Sequence, residues 1–249
     1  MATPKSGLLT RLHRIRYSIA STGWRRGLSD VATQVLAPVL SYDPGRDRSF
    51  DRQCGTDTAG SVEPSQLGIA DSTIRANAIL YLPSPPRVTR WMLNNIGINY
   101  DQFTFVDLGC GKGRVLLIAS EYPFKRIVGV DISPEMSRIA SENALKYRPS
   151  ARRCRDIEVQ TRDAAAVDFP DTNILLHLYH PFEPPMTAAV LTRLERSITA
   201  RPRKVVVAYL LYTAAVPPVE EVFARFPWLR QVRYEQAVLG QYNWIFYAN

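Results

Sequence analysis

The sequence predicts an α/β fold, a doubly wound and mostly parallel sheet, and three observations carry that prediction. Short apolar runs that read as buried strands recur along the chain, at residues 105–108, 127–131, 157–161, 173–179 and 204–210. Segments with apolar residues at helical spacing separate them. The first run ends in a glycine-rich turn and the second in an acid, the pattern expected where a sheet binds a ligand at the carboxyl ends of its strands.

In chain order, the first forty residues carry the strongest charge bias. Lys5, Arg11, Arg14, Arg16, Arg25 and Arg26 all precede the first acid, Asp30, in a chain of 249 residues with net charge +8. Leu8, Leu12, Ile15 and Ile19 recur at helical spacing between them, so residues 1–40 read as a basic, amphipathic helical extension. Such a helix can lie on a membrane surface, dock on a partner or cap the main domain, and its sequence leaves these open. It is too charged for a secretory signal, and its lack of acids weakly resembles a mitochondrial transit peptide. Residues 41–66 are polar and read as a linker, which runs on to residue 80. Within it the Thr- and Asp-bearing stretch 50–60 is a candidate lid over a polar ligand. The domain proper is expected over 81–249.

Tyr81-Leu82-Pro83-Ser84-Pro85-Pro86 opens a helix, with Ser84 as the expected N-cap and Pro85 in the first turn. Val88, Trp91, Met92 and Ile96 form its buried face, and Gly97 ends it. After the first strand, Gly109, Cys110, Gly111 and Gly113 make a turn that lets a ligand approach the backbone. The spacing is G-x-G-x-G, and Arg114 stands where a dinucleotide fingerprint has its last glycine; the phosphate-cradling loop pattern is absent. Asp131 ends the second strand about twenty residues further on, where a carboxylate can accept both hydroxyls of a ribose. Ser133-Pro134-Glu135 then caps a helix whose inner face is Met136, Ile139, Ala140 and Ala144.

The third strand runs into Arg162-Asp163-Ala164, and the fourth into His180-Pro181-Phe182-Glu183. A helix with Met186, Val190, Leu191, Leu194 and Ile198 inward follows. The fifth strand precedes a helix starting near Pro217 and Pro218, with Val219, Val222, Phe223 and Phe226 inward. A strand pair, 230–238 and 241–247, closes the chain around Leu239-Gly240.

Asp107 followed by the GxGxG turn resembles the first motif of class I S-adenosylmethionine (SAM) dependent methyltransferases. The resemblance covers residues 81–249. It implies a seven-stranded sheet with a reversed last strand, and SAM as cofactor. It implies cofactor contacts from Tyr81, Asp107, Gly109, Cys110, Gly111, Gly113, Asp131, Ile132, Asp163 and Ala164, with Asp163 meeting the adenine amino group. The end of the fourth strand faces the transferred methyl in that family. There His180 is the candidate base or orienting group, with Tyr179 and Phe182 beside the acceptor. Many amine and amide methyltransferases carry Asn/Asp-Pro-Pro-aromatic at this turn. His180-Pro181-Phe182 departs from it, which argues against amide and nucleobase acceptors and so against nucleic acid as the partner.

The expected reaction is methyl transfer to an N or O acceptor on a small molecule or a protein side chain. Two rivals are a non-catalytic SAM-binding module and an aminopropyltransferase on the same scaffold. The second would need acids around a polyamine, and the His180 turn is acid-poor. Cys54, Cys110 and Cys154 are odd in number and widely spaced, which suits a reducing, cytoplasmic compartment. Cys/His spacing for a zinc site is lacking, and no run of eighteen apolar residues is present.

Overall fold

The structure is a computed structural model and describes residues 44–69, 79–212, 219–237 and 242–249. The basic extension 1–40, Pro217 and Pro218, and the Leu239-Gly240 turn lie outside the described residues. Thirteen elements follow in order: α1 (Pro44–Cys54), α2 (Pro86–Asn95), β1 (Phe103–Leu108), α3 (Arg114–Ala119), β2 (Arg126–Asp131), α4 (Pro134–Lys146), β3 (Ile157–Thr161), β4 (Asn173–Tyr179), α5 (Pro184–Ala200), β5 (Val205–Tyr212), α6 (Val219–Phe223), β6 (Arg230–Ala237) and β7 (Tyr242–Ala248).

One seven-stranded sheet runs β3-β2-β1-β4-β5-β7-β6. The pairs from β3 to β5 are parallel, and β7 is antiparallel to both β5 and β6. The reversed last strand is therefore as expected. Residues alternate across the sheet. On one face Val106, Leu108, Leu176 and Val207 meet α5 and α6 through Leu191, Leu194, Val222 and Phe223. On the other, Phe105, Leu175, Leu210 and Trp244 meet α1, α2 and α3 through Phe50, Met92, Leu93 and Leu117. Because both faces are covered, β1 is buried at every residue, which is why its sequence is a continuous apolar run broken only by Thr104 and Asp107. Sheet order changes direction at β1, whose neighbours are β2 and β4, so a crevice opens beyond the carboxyl ends of these strands. Among the described residues no helix is long and apolar enough to cross a membrane.

Two local expectations differ from the structure. Ser84 does not cap α2. Pro85 is the N-cap, and its carbonyl receives the amides of Val88 and Thr89 at 2.9 and 3.2 Å. A cap at Ser84 would put Pro86, which has no N–H, at the second helical position. The Ser84 hydroxyl instead hydrogen-bonds that of Thr89 at 2.9 Å. Ser133 does cap α4, its Oγ accepting from the Met136 amide at 3.1 Å while donating to the Leu67 carbonyl.

The larger difference lies in 41–66, read as a linker. Residues 44–54 form α1, and α1 docks on α3 through a buried cation. Arg114, 2% exposed, pairs with Asp47 through Nη1. Its Nε donates to the Thr58 hydroxyl at 2.7 Å, and its guanidinium lies 5.3 Å from the centre of the Phe50 ring. Asp51, one turn after Asp47, is 4.0 Å from Nη2. The carboxylate of Asp51 also accepts the Thr56 and Thr58 hydroxyls and the Thr58 and Ala59 amides, at 2.6–2.8 Å. The stretch is polar because its acids and hydroxyls satisfy a buried charge and their own loop. Asp47→Ala leaves that charge uncompensated. It is expected to destabilise the fold by about 3–5 kcal/mol, read from urea unfolding; a loss near that of an exposed pair would place Arg114 in contact with solvent instead.

Candidate active site

The site begins where β1 stops. The amides of Gly109 and Cys110 both donate to the Val130 carbonyl, at 2.8 and 3.1 Å, which ties the turn to β2. Gly111 has φ +52°, and a Cβ there would lie 2.2 Å from Cε2 of Tyr81, so only glycine fits between the turn and that ring. Tyr81 is held from behind. Its backbone bridges Val62, and its hydroxyl donates to the Thr58 carbonyl at 2.9 Å. Burial pushes its phenol well above the ordinary value. The stretch 50–60, a candidate lid, thus acts as the backing of this wall.

Asp131 receives the Gly111 amide on Oδ2 and the Ser133 amide on Oδ1, both at 2.8 Å. Burial raises its carboxyl above the usual range, against the pull of these two amides. Each oxygen keeps a further lone pair for a ligand hydroxyl. Asp163 caps the short turn Ala164–Ala166 by accepting the Ala165 amide on Oδ1 at 2.8 Å. Asp107, 3% exposed, bonds Nδ1 of His177 at 2.6 Å.

Across the sheet, β4 delivers the His180 turn. His180 has φ +38° and is the one non-glycine residue with positive φ among those described. Histidine, with Asn and Asp, is among the side chains that tolerate this region best. Its Nδ1 lies 2.9 Å from the Tyr209 hydroxyl on β5. Burial holds the imidazole below the ordinary value, partly offset by the nearby Glu183 carboxylate. Burial also pushes the Tyr209 phenol up.

Tyr81, the glycine turn, Asp107, Asp131, Asp163 and His180 meet in one cavity of about 740 Å³, within the range of small-molecule sites, with Tyr209 behind His180. Of the residues expected at the cofactor or acceptor, every one except Gly113 lines it. Gly113 lies behind the turn, in the left-handed region (φ +83°), as the N-cap of α3; a Cβ on it would stand 3.0 Å from that of Ala140. Its role is to let α4 pack closely on α3. Cys110 lines the cavity, and burial keeps its thiol well above the ordinary value, which disfavours the thiolate.

Sequence reasoning did not assign Arg114 or His177 to this site, nor Tyr209 to its support behind His180. Arg114 and His177 carried a visible signal, a charged or polar residue inside an otherwise apolar helix and strand. Tyr209 carried none.

A cavity at the point where a parallel sheet reverses its order, with a carboxylate beside a glycine turn, is where open α/β sheets bind nucleotide ligands. The donor set fits SAM: lone pairs remain on Asp131 and Asp163, and the backbone cradle is closed to any Cβ at Gly111. A family model described as a methyltransferase domain matches residues 105–200. A protein-lysine N-methyltransferase of Saccharolobus islandicus (strain REY15A) is 34% identical over 92 residues, 35% of this chain and 56% of the relative. A ribosomal protein L11 methyltransferase of Alteromonas mediterranea is 39% identical over 62 residues, 25% of this chain and 20% of the relative. The chain thus spans about half, or less, of the lengths of these curated relatives. Among solved structures, a SAM dependent methyltransferase from Aquifex aeolicus aligns over 84% of this chain and 98% of its own, at 20% identity and a TM-score of 0.48. Magnesium protoporphyrin IX methyltransferase from Synechocystis PCC 6803 aligns over 88% and 95%, at 16% identity and 0.48.

Over residues 105–200 the chain is similar to methyltransferase domains, and SAM is the cofactor that the donor set fits. Asp131→Ala is expected to weaken SAM binding by about 1–3 kcal/mol, the scale of hydrogen bonds lost from a charged group. Calorimetry checks it, and unchanged affinity would remove Asp131 from the ribose subsite.

Proposed function

We propose that this chain transfers a methyl group from SAM to a nitrogen or oxygen acceptor, on a small molecule or a protein side chain, with the acceptor beside His180. One observation carries the reading: the His180 turn is packed against the glycine turn. A Cβ on Gly109 would stand 2.8 Å from that of Pro181, so the ends of β1 and β4 touch at the cavity floor. A cofactor cradled by the first turn therefore presents its reactive end to the second. Bound there, SAM supplies an electrophilic methyl on a sulfonium, and the protein's share is chiefly to align the acceptor with it. Tyr179 and Phe182 flank His180 on the cavity wall.

Two hydrogen-bond arrangements at His180 give two roles. If Nδ1–H donates to Tyr209, Nε2 carries a lone pair and can take the acceptor's proton. If the Tyr209 hydroxyl donates to Nδ1, Nε2 carries the proton and orients the acceptor as a donor. Burial favours the uncharged imidazole in either case. The relatives named for protein lysine and for ribosomal protein L11 support a protein amine among the acceptors. An amine that arrives uncharged needs no base, only alignment.

Labelled SAM turned over against metabolite and protein extracts tests the activity. With an acceptor in hand, His180→Ala is expected to slow turnover on the order of 10²–10⁴-fold if His180 is the base, with SAM affinity unchanged. The neutral ring is the active form, so turnover should fall as pH drops through a value below the ordinary 6.5. That limb should vanish in His180→Asn. Full activity in the asparagine variant would make His180 an orienting group, and full activity in the alanine variant would leave it only the turn.

We assign the basic extension to location, partner choice or contact with a membrane surface. A chain starting at Ser41 should then keep its melting temperature and SAM affinity. Loss of either would place the extension within the domain.

A further inference from the structure

We propose that His177 is a positioning residue: it holds the Asp107 carboxylate in the orientation that receives the cationic amino-acid end of the cofactor. The proposal rests on SAM as the ligand of this cavity.

Asp107 and His177 are register partners on adjacent strands, β1 and β4, and both line the cavity. Asp107 is a nearly buried carboxylate, and a buried carboxylate needs a partner. Among the described residues its one hydrogen-bond partner is Nδ1 of His177, at 2.6 Å. That bond puts the ring proton on Nδ1 as donor. Nε2 is itself buried and has no partner among the described residues. The ring around it stacks on Phe105, with centres 6.1 Å apart, and tilts against Trp244 at 5.7 Å. A second proton on Nε2 would thus be a buried donor without an acceptor. The imidazole serves Asp107 through Nδ1, and Asp107 stands at the cavity wall.

The position of that carboxylate selects the part of the ligand that meets it. Asp131 and Asp163 close the β2 and β3 side, where the nucleoside belongs. A molecule held there and crossing the glycine turn reaches Asp107 with its other end. In SAM and S-adenosylhomocysteine that end carries an ammonium; in 5′-methylthioadenosine it is missing. Phe105 and Trp244 wedge the imidazole, and the imidazole fixes which carboxylate oxygen is spent on the protein. The other oxygen is left to the ammonium.

Calorimetry on the full chain with S-adenosylhomocysteine and with 5′-methylthioadenosine separates this role from a merely structural one. His177→Leu should lose on the order of 10–100-fold in affinity for S-adenosylhomocysteine, the scale of a charge-assisted hydrogen bond, and change little for 5′-methylthioadenosine. His177→Asn, whose Nδ2 can donate near the place of Nδ1, should recover most of the loss. Equal weakening of both probes, no weakening of either, or no recovery with asparagine would overturn the proposal. Should the leucine variant fail to fold, His177→Phe, which removes the donor and keeps a ring against Phe105 and Trp244, takes its place: a loss confined to S-adenosylhomocysteine supports the proposal, and an unchanged or shared affinity overturns it. A wild-type chain that binds neither probe would overturn the SAM reading itself.

Discussion

The buried guanidinium of Arg114 is the constraint on which the rest of the molecule depends. A guanidinium 2% exposed at the first residue of a helix demands carboxylates. They come from Asp47 and Asp51, one turn apart on α1. Meeting that demand brings the Thr56–Gly60 loop over the glycine turn. Lys112 then reaches Asp57 at 2.9 Å, and Asn143 of α4 holds the backbone of Asp57 and Lys112. The same loop presents the Thr58 carbonyl to Tyr81, whose ring fills the space against Gly111. One buried charge thereby couples helix α1 to the wall of the cavity. Buried ion pairs give little net stability against an apolar replacement; here the pair gives registry, placing α1 and its loop in one position on α3.

The cavity follows from sheet order. Where β2 and β4 flank β1, connections leave in opposite directions and the strand ends stand clear. Each strand end then contributes one chemistry. The glycine turn gives backbone, the ends of β2 and β3 give the carboxylates of Asp131 and Asp163, and the β4 turn gives an imidazole at the opposite side. Contact between Gly109 and Pro181 brings the last of these beside the first.

His180 carries backbone strain at that junction. A non-glycine residue at φ +38° persists only where its surroundings hold it. Pro181 restricts the chain after it and Tyr209 anchors its ring. The strain and the hydrogen bond together aim a half-buried, neutral imidazole at the cavity.

What the sequence by itself determined was the local grammar. Apolar runs bounded by turns gave the central strands to within a residue or two, because a parallel sheet buried on both faces admits little else. The GxGxG turn, Asp131 and Asp163 were legible because each sits at a strand end, where local chain direction already sets the geometry. The Ser133 cap was legible for the same reason, and Ser84 misled because the proline after its neighbour removes a donor the cap would need. Tertiary structure alone decided the rest. That 44–54 is a docked helix depends on Arg114, sixty to seventy residues away, so its polarity reads locally as a linker. The pairing of Asp107 with His177, and of His180 with Tyr209, depends on which strands become neighbours and in what register. Such side chains meet across the sheet rather than along the chain, and no local pattern records the meeting.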